Sequence, residues 1–89
     1  MTKVGTLILE RRKQLNKTQI QLSLDLNITP QFLGHIEKGR VKFPIRRTAS
    51  LCRSLGISAE TVQEAFIQDF KSGLRNVLKS GTPMLKITT

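Results

Sequence analysis

The sequence predicts an all-α domain built from five short helices. Three observations carry that expectation. Apolar residues recur three or four positions apart, and no stretch of useful length alternates with period two. Helix-starting residues (Thr18, Thr29, Ser58) precede the apolar stripes, and helix-stopping residues (Asn27, Gly39, Gly56) follow them. The chain of 89 residues is also the size of one domain, too short for separate cofactor and substrate lobes.

A first helix is expected across residues 3–15, where Val4, Ile8 and Leu15 keep helical spacing and Arg11 and Arg12 fill the intermediate turn. Thr18-Gln19-Ile20-Gln21 then has the form of a capping box, in which the Thr18 hydroxyl accepts from a backbone N–H and the Gln21 side chain reaches back. Leu22 and Leu26 give this second helix its core face, and Asn27, tolerant of left-handed backbone, ends it. Thr29 as N-cap and Pro30 at the first helical position, where a missing N–H costs nothing, announce the third helix. Leu33 and Ile36 face inward on it, and Gly39 is its stop.

Pro44 and Ile45 are expected to open a fourth helix, with Ile45, Ala49, Cys52 and Leu55 on its inner stripe and Gly56 closing it. Ser58 caps a fifth, which places Glu60 in its first turn, where the helix dipole favours an acid. The stripe of this last helix is Val62, Phe66, Phe70, Leu74 and Val77, with Gly73 as its weak point. Residues 80–89 are left as a tail.

The charge balance narrows the function. Fifteen Lys plus Arg stand against 6 Asp plus Glu, a net charge of +9, which points to nucleic acid ahead of an anionic membrane. The single cysteine, Cys52, excludes a disulfide framework and a Cys-rich zinc site, and its place on an apolar stripe reads as a small core residue. With one histidine, no Ser/His/Asp or Cys/His set and no Gly-rich phosphate loop, no catalytic residue, metal or cofactor is expected, and the chain does not read as an enzyme. No apolar run approaches the roughly 20 residues of a membrane span, and the N-terminus has no signal-peptide core. The expected setting is therefore the cytoplasm, in a bacterial or phage-encoded protein that is nucleoid-associated when bound.

Several marks fall in register between the first and last helices. They are Thr18-Gln19 opening the second helix, Leu22, the Leu26-x-Ile28 turn, Thr29 at the cap, and Ile36-Glu37-x-Gly39, with Arg12 upstream and Leu55-Gly56-Ile57-Ser58 downstream. In this combination the sequence resembles the lambda-repressor/Cro (XRE-type) helix-turn-helix family over roughly residues 4–62. The resemblance implies a five-helix lambda-repressor-like DNA-binding domain. Helices two and three form the helix-turn-helix, the third entering the major groove while the second crosses the backbone. Residues 1–59 would be the DNA-binding domain, 60–79 a C-terminal helix that completes the core and forms a dimer interface, and 80–89 the tail.

On the same resemblance the base-contacting positions are Pro30, Gln31, Gly34 and His35. Gln31 can make two hydrogen bonds to adenine N6 and N7, and His35 can donate to a guanine acceptor or a phosphate. Pro30 and Gly34 carry no polar side chain where the family often places one, and Asn27 replaces its commoner glycine. Phosphate contacts are implied for Gln19, Thr29, Lys38, Arg40 and Lys42, with Arg46 next in line. No acid lies between Glu37 and Glu60, whereas Lys38, Arg40, Lys42, Arg46, Arg47 and Arg53 are all basic. Arg12 and Glu37 are implied as a structural ion pair fixing the angle between helices.

The implied partners are double-stranded operator DNA and a second copy of the chain. Two recognition helices must meet successive major grooves about 34 Å apart, and Phe70, Leu74 and Val77 are the expected interface. The expected function is a homodimeric repressor of a palindromic operator. The alternatives are an antitoxin that neutralises a toxin and autoregulates its operon, or a restriction–modification controller, with a toxin or RNA polymerase as a protein partner. Lacking a sensor domain in these 89 residues, control is expected from concentration or a partner.

Overall fold

The first helix, α1 (Lys3–Gln14), begins at Thr2, whose hydroxyl accepts from the Gly5 N–H at 2.9 Å. It is followed by α2 (Gln19–Leu26), α3 (Pro30–Glu37), a 3₁₀ turn at Ile45–Arg47, α4 (Thr48–Leu55) and the longer α5 (Ala59–Lys79). These elements belong to a computed structural model that describes residues 2–79. Among the described residues there is no strand, so the all-α expectation with five helices holds. The tail at 80–89 lies outside the described residues.

Local chemistry sets most helix ends. The capping box at Thr18 is complete, with Gln21 N–H donating to Thr18 Oγ1 at 3.0 Å and Thr18 N–H to Gln21 Oε1 at 2.8 Å. Thr29 caps α3 by accepting from the Phe32 N–H at 3.1 Å, with Pro30 in the first turn. Asn27 closes α2 in the left-handed region at φ 55°, and Gly56 closes α4 at φ 63°. Asn16 is also left-handed at φ 55°, which turns the chain sharply out of α1. Ser58 Oγ accepts from the Thr61 N–H at 3.1 Å and starts α5.

The core is one cluster: Val4 and Ile8 from α1, Leu22 and Leu26 from α2, Leu33 and Ile36 from α3, Leu51 and Leu55 from α4, and Val62 and Ala65 from α5, with Phe43 from the loop. Helix α1 packs on α3 and α5, and α2 packs on α3 and α4. Gly5 makes the α1–α3 approach possible. A Cβ there would run into the Ile36 carbonyl oxygen and lie 3.0 Å from that of Glu37, so only glycine lets the two backbones come this close.

Two expected stripes need correction. The fourth helix does not open at Pro44–Ile45; those residues lead a 3₁₀ turn, and α4 begins at Thr48. Ile45 is 75 % exposed and Ala49 is exposed, while Leu51 and Leu55 are buried and Cys52 is half-buried. The reason lies two residues upstream. Phe43 is buried in the core, its ring centroid 6.5 Å from that of Phe66, and an aromatic ring buries more apolar surface than an isoleucine. Leu15 is likewise exposed, because it lies past the last turn of α1 as its C-cap.

Remote side chains satisfy the helix ends that local residues do not. Asp69 of α5 accepts from the backbone N–H groups of Lys3 at 2.7 Å and Val4 at 3.1 Å, placing a carboxylate at the positive end of α1. At the C-terminus of α4, Arg11 Nε donates to the Leu55 carbonyl at 2.8 Å and Lys17 Nζ to the Ser54 carbonyl at 2.9 Å.

Candidate nucleic-acid interface

Helices α2 and α3 meet across the turn at residues 27–28, where the Ile28 N–H donates to the Ser23 carbonyl at 3.0 Å. Their relative position is fixed by a buried polar cluster. Arg12 Nε donates to Glu37 Oε2 at 2.7 Å and Arg12 Nη2 to Glu37 Oε1 at 3.2 Å. Arg12 Nη1 donates to the Lys17 carbonyl at 2.9 Å, and Gln19 Nε2 donates to Glu37 Oε1 at 2.9 Å. With Arg12 and Glu37 side chains only 10 % and 3 % exposed, this fork-to-fork pair joins α1 to the end of α3. Gln19 adds the start of α2 to the same cluster.

On the outer side of that cluster lies an open groove of about 470 Å³, lined by Gln19, Ile20, Pro30, Gln31, Gly34, His35 and Lys38. All four positions singled out for base contact, Pro30, Gln31, Gly34 and His35, therefore border one surface. Gln31 and His35 are exposed, and Pro30 and Gly34 half-buried. Gly34 borders the Gln19 amide: a Cβ there would lie 3.6 Å from Gln19 Nε2, an ordinary contact. The capping box engages the N–H groups of Thr18 and Gln21. Among the described residues those of Gln19 and Ile20 have no protein acceptor, and they point out of the helix start.

Of the residues singled out for phosphate, Gln19 and Thr29 sit at the two helix starts with part of their hydrogen-bonding capacity already committed to Glu37 and to the α3 cap. Lys38, Arg40, Lys42 and Arg46 are exposed along the segment that leaves α3. Gly39, at φ 77°, turns this segment, and Arg40 N–H donates to the His35 carbonyl at 2.9 Å. Phe43 anchors its middle in the core. Sequence reasoning missed that anchor because the residue sits among charges, although a lone Phe inside a basic loop is itself a sign of a pinned segment.

Phe70, Leu74 and Val77 stand apart from this face. On α5, Val62 and Ala65 are buried and Phe66 half-buried, whereas every residue from Phe70 to Leu78 is exposed, Phe70 by 71 % and Leu74 by 45 %. A second polar cluster joins Lys17 Nζ to Asp25 Oδ2 at 3.0 Å, with Ser54 Oγ donating to the same Asp25 oxygen at 2.7 Å. The Ser54 hydrogen bond, and after it the Lys17 ammonium, hold the Asp25 carboxyl below its ordinary value. Among the described residues no group of His, Cys, Asp and Glu could hold a metal ion, and no helix is long and apolar enough to cross a membrane.

Fold and face together define a DNA-binding helix-turn-helix domain. The chain belongs to the family described as helix-turn-helix domain, which it matches over residues 5–65, and the family is of the lambda-repressor/Cro (XRE) type expected from the sequence. Among solved structures it is similar to the clp gene regulator ClgR from Corynebacterium glutamicum. The identity is 24 %, the TM-score 0.61, and the match covers 91 % of this chain and 92 % of that one. At that identity the likeness is one of fold. No curated protein matches the chain.

Proposed function

We propose that the protein is a sequence-specific transcriptional regulator that binds double-stranded DNA as a homodimer and represses from a palindromic operator. The observation that carries this reading is the groove on α3. It presents the Gln31 amide and the His35 imidazole beside exposed Lys38, Arg40, Lys42 and Arg46. Gln31 and His35 read base edges while the basic segment, Thr29 and the free N–H groups at the start of α2 hold phosphates. Arg12, Glu37 and Gln19 position the recognition helix without touching the bases. The apolar side of α5 at Phe70, Leu74 and Val77 supports a second copy of the chain as the partner. That the fold is shared with a clp gene regulator supports a regulatory role.

The test is selection from a random duplex pool at moderate salt, paired with sedimentation of the wild type and Leu74→Glu. An enriched inverted repeat, bound by a dimer that Leu74→Glu converts to a folded monomer, is the expected result. A pool that enriches no motif removes the sequence-specific reading. A Leu74→Glu dimer removes this side of α5 as the interface.

A further inference from the structure

Ile20, the second residue of α2, is 61 % exposed and borders the same groove as Gln31. A single exposed isoleucine is ordinary on a protein surface. Its surroundings are not. Pro30 gives the groove another apolar wall, and Gly34 adds no side chain, so a hydrocarbon surface lies next to the Gln31 amide. The occupant must also tolerate Lys38 at the groove and the exposed Arg40, Lys42 and Arg46 beyond it. A second copy of a chain with net charge +9 suits that setting poorly, and a polyanion suits it well. The apolar feature that DNA exposes in its major groove is the C5-methyl group of thymine.

We propose that Ile20 is a specificity-determining residue that packs against a thymine C5-methyl, so that the half-site requires an A·T pair at that position. The inference rests on the DNA-reading function proposed above. It commits to thymine over 5-methylcytosine because of the neighbouring Gln31, whose amide matches adenine N6 and N7 and not the two acceptors of guanine.

The test is a scan in which each thymine of the selected half-site is replaced in turn by uracil, which removes only the methyl. Binding is measured for the wild type, Ile20→Ala and Ile20→Val. At one position the wild type is expected to lose about fourfold in affinity, the worth of one buried methyl-sized group. Ile20→Ala should show no loss there, and Ile20→Val should keep most of it. Replacing that T·A pair by 5-methylcytosine·G should not restore binding. Because Ile20 lies outside the core, the thermal midpoints of both variants should match the wild type. Indifference to uracil at every position, an equal loss in Ile20→Ala, or full binding to the 5-methylcytosine duplex overturns the proposal while leaving the DNA-reading function intact. A pool without an enriched motif overturns both.

Discussion

Replacing Glu37 by leucine strands Arg12. The carboxylate receives three hydrogen bonds, from Arg12 Nε at 2.7 Å, Arg12 Nη2 at 3.2 Å and Gln19 Nε2 at 2.9 Å, and without it the buried guanidinium keeps only the Lys17 carbonyl. Removing one partner of a buried pair costs about 3–5 kcal/mol. A domain of this size has roughly 5–15 kcal/mol in hand, and each kcal/mol moves the thermal midpoint by roughly 4–8 °C. The expected fall for Glu37→Leu is therefore at least about 12 °C. Urea unfolding followed by circular dichroism on wild type, Arg12→Met, Glu37→Leu and the double variant measures the coupling. The double variant should recover to within about 1 kcal/mol of the wild type, since an apolar pair of similar volume often replaces a buried ion pair without loss. If instead the two single losses simply add, the pair is not coupled and the positioning argument fails.

Gly5→Ala should destabilise by about 1–3 kcal/mol, because its Cβ meets the α3 backbone, whereas Gly73→Ala, with nothing within 4 Å, should stabilise by up to about 1 kcal/mol; denaturant midpoints decide both. Asp25→Asn should matter at neutral pH and matter less in acid. The depressed folded-state value means that Asp25 adds stability above its ordinary value of 3.8, and that this is lost as pH falls through the lower folded value. The gap between the thermal midpoints of the two proteins should be full near pH 7 and narrow progressively as pH falls below 3.8. On the DNA side, Arg40→Ala with Lys42→Ala should weaken binding to operator and random duplex alike and flatten the dependence of log K on log salt by about 0.9 for each phosphate no longer neutralised. An unchanged slope in filter binding would take this segment off the phosphate surface. Gln31→Ala should cost about 1–3 kcal/mol on the operator and little on random duplex.

What could be read from the sequence divides along the range of the chemistry involved. Thr18 with Gln21, Thr29 with Pro30, and Asn27 act within a few residues of themselves, so their helix ends were predictable from neighbours alone. Asp69 could not be assigned to the start of α1, because the acceptor and its two N–H donors are 65 and 66 residues apart in sequence. The same holds for Lys17 and Ser54 at the end of α4. Gly5 gave no signal, since a glycine inside a helix is a mark of weakness until the opposing backbone is known. Ile45 keeps the spacing of the stripe yet is exposed while the larger Phe43 is buried, because periodicity counts apolar residues and does not weigh them. In the groove, family resemblance supplied the positions on α3, whereas the place of Ile20 beside them, on the other helix, follows only from the fold.

The burial of Phe43 bears on the entropy of binding. Like charges at Lys38, Arg40, Lys42, Arg46 and Arg47 would drive an unanchored loop to spread and fluctuate, and a ligand would then have to order it. With the ring buried and 6.5 Å from that of Phe66, that ordering is completed when the chain folds, and the apolar contact holds the segment against the repulsion of its own cations. On the function proposed above, a duplex would meet a preorganised backbone carrying these cations, so neutralising them would release repulsion and demand little backbone ordering. The strength of DNA binding would then be set partly inside the hydrophobic core.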